Sequence, residues 1–288
     1  MTPLKQRKST RKTSADAHPP EIRVEAVHKS FGDNAVLRGV DLLIRRGDMV
    51  AIVGASGSGK TVLLKHMIAH LQPDRGRVLV ADHESPGAPL VDLAKLDEEA
   101  LDRLRRHWAV VFQKNALFTG TVYDNIALGL FDVKGMDERD ARQRARQMLK
   151  SVGLDPDEVL DLDRDKLSGG MAKRVAVARA LALDPVLMFY DEPTTGLDPE
   201  HAQQIHELIK EVHEKRAERD VQRTTIIITH DTVLLSRLEP RVVMLHDGKV
   251  FFDGTARAFQ QLDSPVARPY IELMPVLHQR PRVRSGTS

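Results

Sequence analysis

Apolar residues fall along this chain in two rhythms. Short runs, continuous or at every second position, occur at EIRVEAVH (21–28), DLLIRR (41–46), MVAIVG (49–54), RVLVA (77–81), WAVVFQ (108–113), VLMFYDE (186–192), TTIIITH (224–230), RVVMLHDG (241–248) and KVFFDG (249–254). That period and those lengths predict strands. Longer segments carry apolar residues three and four apart: KTVLLKHMIAHL (60–71), DEEALDRLRR (97–106), ERDARQRARQMLKSVG (138–153), GMAKRVAVARALAL (170–183) and PEHAQQIHELIKEVHEKRAE (199–218). These predict amphipathic helices. Strands alternating with helices argue for an α/β fold with a parallel sheet at its centre. The stretch 115–167 has no strand pattern and reads as a helical insertion. After about Asp263 the pattern weakens and Pro and Arg recur, so 263–288 is expected to be a C-terminal extension.

Composition adds limits. Of 288 residues, 41% are hydrophobic and 29% charged, which is ordinary for a globular chain able to bury a core. Cysteine is absent, so disulfides and thiolate metal sites are excluded. No run of about 18 apolar residues occurs, and none is expected to span a bilayer. The basic residues near the start have no apolar segment behind them, unlike a secretory leader. The net charge of +2 is unevenly spread: residues 1–17 carry +4, residues 264–288 carry +3, and the body between carries −5. Residues 1–20 read as a disordered, solvated basic tail. Attraction of both tails to an anionic lipid surface is the other reading.

Two glycine-rich stretches hold the candidate chemistry. The first, GASGSGKT, spans Gly54, Ala55, Ser56, Gly57, Ser58, Gly59, Lys60 and Thr61 between a predicted strand and a predicted helix. This is the phosphate-binding loop pattern GxxxxGK[ST], whose amides cradle phosphate oxygens at a helix N-terminus. Lys60 is then the residue that reaches the outer phosphates, and the Thr61 hydroxyl a ligand for Mg²⁺. The buried run VLMFYDE ends in Asp191 and Glu192 at the carboxyl edge of its strand, where ligands bind in such sheets. Asp191 suits the metal's water shell, and Glu192 is placed to polarise an attacking water. Gln113 and His230 end two further strands. Gln113 fits a metal or water ligand and His230 a contact to the terminal phosphate. Phe31, upstream of the loop, is a candidate to stack on adenine or else a core residue.

The second stretch, DKLSGGMAKR (165–174), sets Ser168, Gly169 and Gly170 at a predicted helix start. A hydroxyl cap and bare amides make an anion site. One phosphate loop already encloses its own nucleotide, so a second anion site suggests another nucleotide, held by another subunit.

Together these parts resemble the ATP-binding subunits of ABC transporters, over about Glu21 to Thr255. The match rests on Phe31, the Gly54 to Thr61 loop, Gln113, the signature LSGGM at 167–171, VLMFYDE with Glu192, GLD with Asp198, and His230, in that order. The resemblance implies a P-loop NTPase (RecA-like) core in residues 21–262, with an antiparallel β subdomain and a helical subdomain at about 115–167. It implies ATP and Mg²⁺ as ligands and a homodimer packed head to tail. Each nucleotide would lie between one copy's phosphate loop and the other's Ser168, Gly169 and Gly170.

Met171 stands where the family's signature usually has Gln. With ALFTGTVYDNIALGL (116–130) and DEPTTGLDP (191–199), it is similar to the ATPases of Mla-type transporters, which serve lipid-binding MCE proteins. That similarity implies phospholipid movement between bacterial inner and outer membranes. It also implies a permease at the cytoplasmic face of the inner membrane, a small STAS-domain partner, and a C-terminal extension reaching the neighbouring ATPase. A groove at Asn115 to Tyr123 would accept the permease's helix. An ABC ATPase for sugars, amino acids or metals is the alternative, since the same engine serves all of them. A soluble ABC ATPase acting on DNA or ribosomes is disfavoured by the short insertion, the single cassette and the acidic body, so no nucleic-acid partner is expected.

Overall fold

The computed structural model describes residues 18–113, 117–217 and 220–275. Ten strands and ten helices form there. The strands are β1 (Pro20–Phe31), β2 (Asn34–Arg45), β3 (Met49–Val53), β4 (Arg75–Ala81), β5 (Leu90–Asp92), β6 (Trp108–Val111), β7 (Leu187–Asp191), β8 (Thr224–Ile228), β9 (Arg241–His246) and β10 (Lys249–Thr255). The helices are α1 (Lys60–Met67), α2 (Glu98–Arg105), α3 (Val122–Asp132), α4 (Glu138–Ser151), α5 (Pro156–Val159), α6 (Gly169–Ala182), α7 (Pro199–Glu214), α8 (Thr232–Leu238), α9 (Ala256–Gln260) and α10 (Arg268–Ile271). The α/β class expected from the pattern is the observed one.

Six strands make the central sheet in the order β10-β9-β3-β8-β7-β6. β3, β8, β9, β7 and β6 pair in parallel, and β10 closes one edge antiparallel. The parallel strands are buried on both faces, which is why they are largely apolar, the exceptions Thr224, Thr225, Asp191, Arg241 and His246 falling toward strand ends. Ala51, Val53, Met188, Tyr190, Ile227, Val242 and Met244 face one core, shared with α6, α7 and the insertion. Their alternates Val50, Ile52, Leu187, Phe189, Ile226, Val243 and Leu245 face the other, shared with α1 and a second sheet. That second sheet is antiparallel, in the order β2-β1-β4-β5.

Local chemistry sets the insertion's helix starts. Thr121 and Asp124 form a reciprocal capping box at α3, Asp137 caps α4, and Asp155 caps α5 ahead of Pro156. The expected groove needs correction. Asn115 lies outside the described residues, and Val122 and Tyr123 are buried in the insertion's own core. The apolar side chains open to solvent here are Phe118, Leu128 and Phe131.

The chain beyond Asp263 is not a separate layer as far as it is described. Ala267 is fully buried, and Met274 nearly so. The Thr232 hydroxyl donates to the Leu273 carbonyl at 2.8 Å, tying this segment to α8. The basic residues of 1–17, and Arg280, Arg282 and Arg284, lie outside the described residues.

Candidate functional site

The GASGSGKT loop connects β3 to α1 at the carboxyl edge of the central sheet. Its path depends on left-handed glycines. Gly59, at φ +99°, caps α1, and a Cβ there would lie 2.7 Å from Leu37 Cδ2. Only glycine fits that conformation against that neighbour. The Lys60 ammonium folds back to donate to the carbonyls of Gly54 (2.7 Å) and Ala55 (3.1 Å). Burial lowers its pKa, and the nearby Glu192 and Asp191 carboxylates oppose that shift.

A cavity of about 420 Å³ opens beside this loop. Phe31, Ser56, Gly57, Gly59, Lys60, Thr61, Gln113, Glu192 and His230 all line it, with Asn34, Val36 and Val62. Residues spread over 200 positions of sequence therefore meet in one place. Phe31 is 49% exposed at the rim and is not a core residue, which removes the alternative left open for it. Gly54, Ala55 and Ser58 belong to the same loop without lining the cavity.

Asp191 ends β7 and is 8% exposed. Burial pushes its carboxyl pKa up, and the Glu192 charge pushes it further, against the pull of Lys60 and Lys173. Glu192 follows in a left-handed conformation at φ +50°, uncommon for a non-glycine residue. Its N–H donates to the Ile228 carbonyl at 2.9 Å. Its Oε2 lies 2.8 Å from His230 Nδ1. Two carboxylates crowded beside a phosphate-type loop fit a divalent cation, which would relieve the repulsion that raises Asp191.

Lys173, on α6, escaped the sequence reading. It is 3% exposed and donates to the Gln113 carbonyl at 2.6 Å. Burial lowers its pKa while Asp191 and Glu192 oppose the shift. It thus fixes the end of β6 from across the core. In sequence it is one of two adjacent basic residues on a helix, with nothing to mark it as the buried one.

Ser168, Gly169 and Gly170 stand apart from this cavity. Ser168 caps α6, its Oγ accepting from the Met171 N–H at 3.2 Å. Ser168 and Gly169 are exposed, whereas Gly170 is buried. A Cβ on Gly170 would meet His201 Cδ2 at 2.6 Å. His201 sits in the first turn of α7, whose N-cap is Asp198; His201 Nδ1 and Asp198 Oδ2 are 2.5 Å apart. The second glycine stretch therefore packs on the start of α7, not on the chain's own phosphate loop.

Residues 37–195 match the ABC transporter family model. A histidine transport ATP-binding protein from Pseudomonas aeruginosa is 37% identical over 238 residues, covering 81% of this chain and 90% of that protein. An L-cystine transport system ATP-binding protein from Escherichia coli is 36% identical over 253 residues, 87% of this chain and 97% of that protein. Among solved structures, a dimeric ATP-binding cassette bound to ADP and Pi has a TM-score of 0.69 at 31% identity, covering 82% of this chain and 99% of that one. These transport relatives are named for amino acids. None of the three is named for the lipid cargo that the Mla-type resemblance implies.

Proposed function

Because this chain belongs to the ABC transporter ATP-binding family, we propose that two copies clamp ATP between them and that hydrolysis of that ATP drives a membrane permease. The chain is an ATPase. The observation that carries the two-copy reading is the separation of its two glycine sites. The phosphate-loop cavity contains no residue of Ser168, Gly169 or Gly170, although Ser168 and Gly169 are exposed at a helix start. A half-site of each kind on one chain supports a head-to-tail pair.

In this reading Phe31 stacks on adenine, and the loop amides with Lys60 hold the phosphates. Thr61, Gln113 and Asp191 would hold Mg²⁺, which would neutralise charge on the phosphate oxygens. Glu192 takes the proton of the attacking water, and His230 contacts the terminal phosphate while orienting Glu192. Glu192→Gln tests this directly. Removing the base should lower turnover about 10²–10⁴-fold and leave ATP binding intact. The variant should accumulate as an ATP-bound dimer in size-exclusion chromatography. Turnover within about two-fold of the parent would overturn the assignment.

For cargo, the relatives' names support an amino-acid-class solute, carried through a permease at the inner face of the membrane. A second reading, phospholipid transport with STAS and MCE partners, rests on Met171 and the 116–130 stretch. Purification of the chain with its permease, and mass spectrometry of what co-purifies, separates the two. An amino-acid-binding partner supports the first; bound phospholipid with an MCE-type protein replaces it by the second.

A further inference from the structure

His230 is set on a short link between β8 and α8, and its side chain is 66% exposed. Packing therefore does little to orient it; the backbone on either side must. The next residue, Asp231, is the anchor. Its Oδ1 accepts from the N–H groups of Val233 (2.9 Å) and Leu234 (3.0 Å), capping α8. Its Oδ2 accepts from the Thr194 hydroxyl at 2.8 Å and from His206 Nε2 at 2.8 Å. Its own N–H donates to Thr229 Oγ1 at 2.9 Å. Thr194 lies two residues past Glu192, and His206 lies on α7, two turns beyond Asp198. One carboxylate thus ties together the three segments that carry Glu192, His230 and Asp198.

His206 is 2% exposed and the Asp231 side chain 18% exposed, so the bond lies at the edge of the core with its histidine end shielded from solvent. Its Nδ1 is buried without a partner among the described residues, which leaves the Asp231 bond as the ring's polar tether. A core helix position seldom carries histidine for packing alone, since burying an imidazole costs more than burying a leucine of similar size.

We propose that His206 is a positioning residue for ATP hydrolysis: acting through Asp231, it holds the link at His230 so that the His230 ring stays against Glu192. This rests on the reading of His230 and Glu192 given above. His206 lies outside the phosphate-loop cavity, and its effect is transmitted by one hydrogen bond to the Asp231 carboxylate.

The test is steady-state ATPase activity of the full chain with its permease. His206→Leu removes the tether at similar volume and should lower kcat about ten-fold, with KM for ATP within about two-fold. His206→Gln places an amide N–H near Nε2 and should recover most of the rate. His230→Ala lowers the rate by itself, and adding His206→Leu to it should change the rate less than about two-fold, because a residue acting through His230 has nothing left to position. Loss of the same factor in both backgrounds would mean a general structural role and overturn the proposal, as would a Gln variant no better than Leu. Full activity in His230→Ala alone would instead remove the reading beneath it, and the proposal with it. Should His206→Leu not fold, Thr194→Val deletes the other donor to the same oxygen. It must show the same non-additivity with His230→Ala, and additive losses overturn the proposal.

Discussion

Gly170→Ala separates folding from function at the second glycine stretch. Gly170 is the second residue of α6 and has ordinary helical backbone, so alanine brings no dihedral strain. On propensity alone the change should stabilise the helix by about 0.5–1 kcal/mol. The new Cβ, however, meets His201 Cδ2 at 2.6 Å and His201 Cγ at 3.3 Å. Ordinary contact begins near 3.5 Å, so the ring must retreat by about 1 Å or the clash costs about 1–3 kcal/mol. The ring can retreat, because it is partly exposed, but it then leaves Asp198 Oδ2. With the ring displaced, the propensity gain and the small loss from breaking the exposed His201–Asp198 contact nearly cancel, and net stability should shift by less than about 1 kcal/mol in urea unfolding. ATPase activity should fall at least about ten-fold, because the moved groups are the signature amides and the Asp198 turn, the parts expected to meet a partner's nucleotide. His201→Ala clears the space, so Gly170→Ala with His201→Ala should regain activity over Gly170→Ala alone. An active, stable Gly170→Ala protein would refute the reasoning, and so would a double variant no better than the single.

Three further outcomes follow from buried and half-buried polar groups. Asp231 is pushed up by burial, but the bonds from His206, Leu234 N–H and Thr194 outweigh this and hold its pKa at about 2. With a folded pKa below the unfolded value of about 3.9, it adds about 1–2 kcal/mol of stability above pH 4, lost as pH falls toward 2. Asp231→Asn should therefore lower stability at pH 7 and flatten the acid limb of the stability curve; an unchanged limb would exclude this account. Arg223 is buried and donates to the Pro185 carbonyl (3.0 Å), the Lys215 carbonyl (2.6 Å) and Asp184 Oδ1 (2.6 Å). Arg223→Met strands the Pro185 and Lys215 carbonyls and removes one donor from Asp184, and should cost about 3 kcal/mol in chemical unfolding, a loss below about 1 kcal/mol counting against it. Tyr190 is fully buried with a hydroxyl that has no hydrogen-bond partner among the described residues, so Tyr190→Phe should be neutral or stabilise by about 1 kcal/mol, and a clear drop in melting temperature would show that a partner exists.

Much of this molecule can be read from its chain. The strand–loop–helix context of GASGSGKT, the apolar run before Asp191 and Glu192, and the capping residue Ser168 each announce themselves locally, because backbone conformation and burial of a strand are set by near neighbours. The two-faced alternation of β3, β7, β8 and β9 is latent in their unbroken apolar runs. Family membership follows from the order of such local motifs. Cargo does not, because the motifs that carry the family match are those of the nucleotide site, and none of them names a cargo.

Other features depend on distances that sequence spacing does not encode. Lys173 and Arg174 are adjacent and chemically alike, yet the first fixes Gln113 and the second reaches the Val152 carbonyl and Gln204. Val122 and Tyr123 look like surface candidates beside a groove, and their helix turns them inward. Residues near 267–274 lack a pattern because only a few of their side chains meet the core. His206 and Asp231, 25 residues apart, acquire a joint role only where α7 passes beneath the start of α8. Local dihedral preferences and hydrophobic period are properties of short segments and survive in the sequence. Which buried donor finds which acceptor is settled by how the helices pack on the sheet, and that is where this chain's positioning groups were decided.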